Sequence, residues 1–441
     1  MRFPLLLLFT ASATLCAQTF AITGGTLIDG YGGPPVRDAV IVVDGERIVA
    51  AGARGQITIP AGAQIVSAEG MSVLPGLWDM HVHLMLDGHS DYDHWDKTYP
   101  AQFESVIMPA SARQLLMAGV TSARDLGAPL EASIHVRDRV HKGEIAGPTL
   151  YVSGPFIQHA AYPGTELFRW GVNGVEDARA KVRKLAAAGV DTIKLIDQDE
   201  MTMDEVRAVV EEAHKANLKV VAHAHRPVEI LRGLEAGADC FEHTGMATAP
   251  EFPVEVMNAI KARTARGGAA GPLFWTPTVS VLYNYDYLRT HPVVLDDTRW
   301  HEGLPPSIID DIRQSIAFPE RLAYYSQVPY RKPTLLHKFT QLRESGVMML
   351  VGTDSGVPMT FHSQSTWNEL DVWVTHMGVD PMDAIRAATY WPAVMMRAEK
   401  DSGTIAAGKF ADIIAVRGDV LRHIDLLSRV DVVIKHGVRY K

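Results

Sequence analysis

The sequence predicts an α/β fold, a (β/α)8 TIM barrel with a small β-sandwich domain built from both chain ends. Between residues 76 and 399, short apolar β-type segments alternate with helical segments, as in parallel βαβ units. Eight such units favour a closed barrel over an open doubly wound sheet, whose glycine-rich phosphate-binding turn is absent from the sequence. Residues 18–75 and 400–441 instead carry short strands separated by turns.

Residues 1–17 have the pattern of a secretory signal peptide. Arg2 gives a positive start, residues 5–9 are apolar, and small residues follow. Cleavage after Ala17 is preferred, with cleavage after Ala13 as the alternative. This apolar run is too short for a membrane span. The sequence therefore predicts an exported protein, periplasmic or secreted, although a terminus packed as a strand or helix is the alternative. Cleavage would leave Cys240 without a partner for an intramolecular disulfide.

The two chain ends contain the strands of the predicted β-sandwich. Residues 39–43 and 47–50 flank the turn Asp44-Gly45, which is a hairpin signal. Residues 412–416 and 431–434 are two further β-type segments near the other end. Because domain termini are often close in space, we expect these strands to form one unit.

Eight candidate strands and four clear helices fit the barrel region. The strands are residues 73–79, 120–125, 150–153, 192–196, 219–222, 240–242, 274–278 and 348–352. The helices are residues 175–188, 203–216, 228–236 and 335–345. Residues 282–331, rich in aromatic side chains, are interpreted as an insertion that covers the open face of the barrel. An ordinary packed extension is the alternative.

The composition of the 441-residue chain limits the classes of partner. Hydrophobic residues make up 47% and charged residues 21%, so a large core can be buried. The formal net charge is -9 and no run of Lys and Arg stands out, which argues against nucleic acid. A small molecule or a dipeptide is the predicted partner, with a homo-oligomer left open and no membrane span expected.

Histidines follow three of the predicted strands. His81 and His83 follow the first strand, and their spacing of two places both imidazoles on one side of an extended chain. His223 ends the fifth strand and His243 the sixth. Each of these alone is more often a satisfied polar residue than a ligand. The carboxyl ends of barrel strands meet at one face, so together the four imidazoles predict a metal site.

Two further residues complete this pattern. Lys194 lies among apolar residues in the fourth strand, and burial lowers the pKa of a lysine. A neutral amine can take up carbon dioxide as a carbamate, whose oxygens can bridge two metal ions. The alternative is an ion pair with Asp197 or Asp199. Asp354 follows the eighth strand, where it could bind metal and accept a proton from water, or simply cap a turn.

Together these motifs resemble the amidohydrolase superfamily, and in particular its imidazolonepropionase-like branch, which includes Xaa-Pro dipeptidases. The resemblance runs from about residue 22 to the end. The segments that carry it are residues 76–83, 119–127, 222–225, 242–243, 352–356, 389–393 and 403–412, with Lys194.

The resemblance implies a binuclear metal centre and a hydrolytic mechanism. The implied ligands are His81, His83 and Asp354 for the more buried ion, His223 and His243 for the other, and carboxylated Lys194 as the bridge. In similar proteins the metal is on the first His of the 223/225 pair, so His223 is preferred over His225. Zinc suits these ligands, with manganese, iron or cobalt left open.

The predicted reaction is hydrolysis of a C-terminal amide bond in a dipeptide or an N-acyl amino acid. Asp354 and Lys194 are the predicted catalytic residues. His159, His225, Arg226 and Tyr283 are candidates for holding substrate, because cationic or imidazole groups suit a free carboxylate. The alternative is hydrolysis of a lactone, cyclic amide or phosphotriester on the same centre. A non-catalytic binding protein would predict a broken ligand set, whereas the set here is complete.

Overall fold

The computed structural model describes residues 19–245, 248–266, 271–322 and 325–441. The predicted signal peptide, residues 1–17, lies outside these ranges. Within them, no helix combines the length and the apolar character that crossing a bilayer requires.

Strands from both chain ends pair in one mixed eight-stranded sheet. Its strands are β1 (Phe20–Leu27), β2 (Val36–Asp44), β3 (Arg47–Ala53), β4 (Gln64–Ser67), β5 (Met71–Pro75), β16 (Ile413–Arg417), β17 (Val432–Lys435) and β18 (Val438–Arg439). The two ends join where β5 runs antiparallel to β16, from Pro75 opposite Ile413 to Met71 opposite Arg417. Apolar side chains of both ends, including Ile41 and Ile434, share one core. The joint sheet agrees with the sequence, and its division into two packed layers stays a prediction.

The middle of the chain forms two parallel sheets. Their strands are β6 (Leu77–Val82), β7 (Val120–Asp125), β8 (Thr149–Val152), β9 (Phe156–Gln158), β10 (Arg169–Gly171), β11 (Thr192–Leu195), β12 (Lys219–His223), β13 (Cys240–Glu242), β14 (Phe274–Thr276) and β15 (Met348–Met349). One sheet has the order β6-β7-β8 and the other β10-β9-β11-β12-β13-β14-β15.

Backbone hydrogen bonds connect these two sheets on both sides. The amide of Met80 donates to Val351 at 3.0 Å on one side, and the amide of Asp191 donates to Val152 at 2.8 Å on the other. This is the connectivity that the predicted barrel requires.

The predicted strands overlap the observed ones, with three differences. The strand predicted for residues 348–352 is limited to β15, Met348–Met349. The run predicted for residues 73–79 is divided at Gly76, where a Cβ would lie only 2.1 Å from Oγ1 of Thr121. Only glycine fits there, and the chain passes from the terminal sheet into the parallel one. The short strands β9 and β10 were not predicted, because three residues are too few to give a periodic pattern.

The helices lie between the strands. They are α1 (Tyr92–Thr98), α2 (Met108–Met117), α3 (Leu130–His141), α4 (Val175–Ala188), α5 (Met203–Lys215), α6 (Pro227–Ala236), α7 (Val254–Ala265), α8 (Ser280–Thr290), α9 (Pro306–Ile316), α10 (Val328–Arg331), α11 (Leu335–Glu344), α12 (Ser365–Thr375), α13 (Pro381–Ala387) and α14 (Tyr390–Met395). Two of these helices have common capping motifs at their ends. Thr202 and Glu205 form a capping box before α5, and Gly189, with φ of 83°, ends α4. All four predicted helices are present within one residue.

The predicted insertion, residues 282–331, packs into the main core and also borders a cavity. Trp300, Ile308 and Ile312 are fully buried in the core cluster that contains α2. Leu282 and Arg331, at its two ends, line a cavity beside the predicted metal ligands. The described part of this segment therefore combines a packed extension with a wall of the candidate site.

Candidate metal centre

The first group of ligands lies where β6 and β15 end. His81 is in β6, His83 directly follows it, and Asp354 comes after β15. Oδ1 of Asp354 lies 3.3 Å from Nε2 of His81 and 3.1 Å from Nε2 of His83. His81 is fully buried and the Asp354 side chain is 17% exposed. These three side chains meet as the sequence predicts.

The second group lies at the ends of β12 and β13. One ligand nitrogen from each of His223, His225 and His243 lies within 4.8 Å of the others. The rings of His225 and His243 are stacked, with centroids 4.4 Å apart. The preference for His223 over His225 is not decided by these distances, because both imidazoles converge on the same point.

Lys194 lies in β11, and its charge acts on a member of each group. Its side chain is completely buried, and Nζ has no hydrogen-bond partner among the described residues. Burial lowers the pKa of Lys194 to about 8. After burial itself, the charge of Lys194 is the next cause that lowers the pKa values of His81 and His223. The alternative to a carbamate, an ion pair of Lys194 with Asp197 or Asp199, is not formed.

A buried ion pair orients His81. Nδ1 of His81 lies 2.8 Å from Oε2 of Glu242, whose Oε1 accepts from Nη2 of Arg124 at 2.7 Å. Arg124 also donates from Nε to the carbonyl of Met80 at 2.7 Å. A carboxylate that accepts the Nδ1 proton leaves Nε2 of His81 with its lone pair toward Asp354, as a ligating imidazole requires.

The backbone at two candidate ligands is strained. His243 and Asp354 have φ values of 77° and 59°, in the left-handed region. The segment before Asp354 is held by fully buried Asp79, which accepts from the hydroxyl of Thr353 at 2.7 Å and from that of Thr366 at 2.8 Å. These bonds fix the position from which the Asp354 carboxylate faces the histidines.

The donor set fits two divalent ions. Nε2 of His81, Nδ1 of His223, Nδ1 of His225 and Nζ of Lys194 are buried atoms without a hydrogen-bond partner in the described part of the chain. Burial lowers the pKa values of His81, His223 and His243 well below the usual range, so these imidazoles are neutral and able to ligate. Imidazole with carboxylate is a common ligand set for zinc.

A cavity of about 180 Å³ opens above these side chains. Its floor includes His225, His243 and Asp354, and its walls include Tyr285 and Arg331. Burial, followed by the charge of Arg331, lowers the pKa of His225 to about 3.

Of the four predicted substrate contacts, only His225 lines this cavity. His159 is exposed. Arg226 is held by three carboxylates, at 2.9 Å from Asp197, 2.6 Å from Asp199 and 3.1 Å from Glu229. Tyr283 stacks on His376 and borders a second, separate cavity.

Sequence reasoning missed Glu242 and Arg124 as a supporting pair, and Arg331 as a wall of the cavity. Glu242 had a usable signal, because it immediately precedes His243 in a strand otherwise apolar. Arg331 had none, because it comes from a short helix within an aperiodic segment.

Comparison with known proteins agrees with this geometry. The sequence profile of the amidohydrolase family matches residues 72–439. The chain belongs to the amidohydrolase family. This amidohydrolase is thus a hydrolase acting on carbon–nitrogen bonds, and members of its family are generally metal-dependent.

Three relatives are similar over nearly the whole length of this amidohydrolase. An ochratoxinase from Aspergillus niger is 25% identical over 93% of this chain and 84% of its own. An imidazolonepropionase from Streptomyces coelicolor is 25% identical over 91% of both chains. The crystal structure of a Xaa-Pro dipeptidase with bound methionine in the active site is 26% identical, with a TM-score of 0.73 over 96% of this chain and 100% of that one.

Exchange of Glu242 for glutamine is expected to weaken zinc binding by about 10- to 100-fold. The single amide oxygen of glutamine cannot accept from both His81 and Arg124, so His81 loses its fixed orientation. Competition with a chromogenic chelator would measure the affinity. Glu211→Gln, which changes an exposed carboxylate paired with Arg179, is the matched control. Equal zinc affinity in the two variants would contradict the orienting role.

Proposed function

We propose that this amidohydrolase hydrolyses the C-terminal amide bond of dipeptides or N-acyl amino acids, using two zinc ions at the mouth of a closed (β/α)8 barrel. The observation that carries the proposal is Lys194, a buried amine without a hydrogen-bond partner among the described residues, whose charge acts on His81 in one group of candidate ligands and on His223 in the other. A carbamate on Nζ would give that amine two anionic oxygens, one for each group.

The residues divide into three roles. His81, His83 and Asp354 would hold one ion, His223 and His243 the other, with His225 beside them, and carboxylated Lys194 would bridge the two. When bound, the ions would lower the pKa of a water molecule to about 7 and polarise the carbonyl group.

Asp354 is the proton carrier in this proposal. The oxygen of water adds to the acyl carbon while the Asp354 carboxylate accepts the proton. The carbon–nitrogen bond then breaks and Asp354 returns the proton to the leaving amine. The carboxylate is suited to this role because it is held beside the histidines at 3.1 and 3.3 Å while 17% of its side chain stays exposed to the cavity.

Two observations support an amide with an apolar residue. The relatives include a Xaa-Pro dipeptidase whose active site holds methionine, an amino acid with a free carboxylate. The cavity above the candidate centre is bordered by Val281, Leu282, Leu335 and Val357. An apolar side chain would replace water at such a wall.

The test is amino-acid release from a panel of dipeptides and N-acyl amino acids by protein reconstituted with zinc and bicarbonate. The panel includes Xaa-Pro and apolar C-terminal residues. We expect release of the C-terminal amino acid. Absence of release from protein that holds two metal ions per chain would reject this substrate class, and lactones, cyclic amides and phosphotriesters would be tested next.

A further inference from the structure

Arg331 brings a guanidinium group to the cavity above the candidate metal centre. It is the last residue of α10, is 7% exposed, and lines the same cavity as His225, His243 and Asp354. The planar fork of arginine is matched to a carboxylate, which it can bind through two parallel hydrogen bonds.

Among the described residues that line this cavity, Arg331 is the one that carries a guanidinium group. The acidic residue lining the cavity, Asp354, belongs to the first ligand group.

The wall next to Arg331 is apolar. Leu282 and Tyr285 lie one turn apart on α8 and are 4% and 2% exposed, and Leu335 begins α11. All three line the cavity with Arg331. One carboxylate-binding group beside an apolar wall matches the two features of an amino acid that has an apolar side chain and a free C-terminus.

We propose that Arg331 binds the free carboxylate of the substrate's C-terminal residue, whose apolar side chain packs against Leu282, Tyr285 and Leu335. This inference rests on the proposed function. It names the residues that would select substrates with a free C-terminal carboxylate and an apolar side chain. It replaces the sequence-based candidates for that role, because neither Arg226 nor His159 lines the cavity.

The test compares two substrates that differ only by the carboxylate, N-acetyl-L-phenylalanine and N-acetylphenethylamine. For zinc-loaded wild type we expect kcat/KM to favour the acid by about tenfold or more, the effect of a hydrogen bond to a charged group. Arg331→Met should bring this ratio close to one, mainly through KM for the acid. Arg331→Lys, which keeps the charge but loses the fork, should lie between them.

Lys332→Met is the matched control. It removes the next positive charge along the chain, which pairs with Asp286 and borders the second cavity instead. This variant should keep the wild-type ratio. An unchanged ratio in Arg331→Met, or an equal loss on both substrates with Arg331→Lys no better, would overturn the proposal.

A binding measurement separates this inference from the proposed function. Calorimetry on the zinc-loaded protein would compare L-phenylalanine with phenethylamine. Tighter binding of L-phenylalanine in wild type that is lost in Arg331→Met supports the carboxylate site even if neither amide is cleaved. Equal affinity of wild type and Arg331→Met for L-phenylalanine overturns it, whatever the activity.

Discussion

Exchange of Lys194 for alanine is expected to lower kcat on the order of a thousandfold or more and to reduce the zinc content below two ions per chain. The physical reason is the position of Nζ. It is completely buried, has no hydrogen-bond partner among the described residues, and its charge acts on His81, His223 and His243. Without the bridge, the two ligand groups lose the anion that both would share. Zinc stoichiometry by elemental analysis and kcat on a cleaved dipeptide would be measured together.

A second lysine in the neighbouring strand is the control for this exchange. Lys219 begins β12 at the opposite end of the strands and pairs with Asp239 at 3.4 Å. Lys219→Met should therefore keep two zinc ions and nearly normal kcat. Two zinc ions and full activity in Lys194→Ala would contradict the bridging role and leave Lys194 as a buried structural amine.

A small carboxylic acid should partly restore the Lys194→Ala variant. The exchange leaves space where the side chain was, and acetate offers the same pair of anionic oxygens as a carbamate. We expect acetate to raise both the activity and the zinc content of the variant and to leave wild type unchanged. A neutral molecule of similar size, acetamide, should have no such effect. Rescue by both would indicate that the space alone matters.

The convergence of the candidate ligand residues could be predicted because their positions follow from regular structure. Alternation along a strand places His81 and His83 on one side, and parallel strands bring their carboxyl ends to one face. The same alternation explains why the sequence could not decide between His223 and His225 at the end of the fifth strand. His223 and His225 also share a side, so the sequence pattern cannot choose between them, and the structure brings both to one point.

The wall of the cavity could not be predicted, because it depends on how an aperiodic segment packs. Tyr283 and Tyr285 are two residues apart in α8, so they face different directions on a helix. Tyr285 shares a face with Leu282 and borders the metal-site cavity, whereas Tyr283 borders the second one. Nothing in the residue types distinguishes the two tyrosines. The same holds for Arg331 and Lys332, which are adjacent cations directed to different cavities.

Exchange of Asp354 for asparagine is expected to lower kcat by about 100- to 10,000-fold, because an amide cannot accept the proton of water. The substitution suits the backbone, since asparagine tolerates the left-handed conformation that Asp354 adopts with φ of 59°. The fold should therefore be preserved. Asp199→Asn, which removes a carboxylate paired with Arg226 outside the ligand groups, is the control and should stay active.

Two substrates with different leaving groups would distinguish the two possible roles of Asp354, as a metal ligand and as a proton carrier. An amide needs a proton on its amine before the carbon–nitrogen bond breaks, whereas a p-nitrophenyl ester with the same acyl group releases a stable anion. If Asp354 returns the proton, the loss of kcat in Asp354→Asn should be greater on the amide than on the ester by about tenfold or more. If Asp354 serves only to hold metal, its exchange lowers zinc content and reduces both reactions equally. Equal losses on amide and ester, in protein that has kept both zinc ions, would show that the proton leaves by another group.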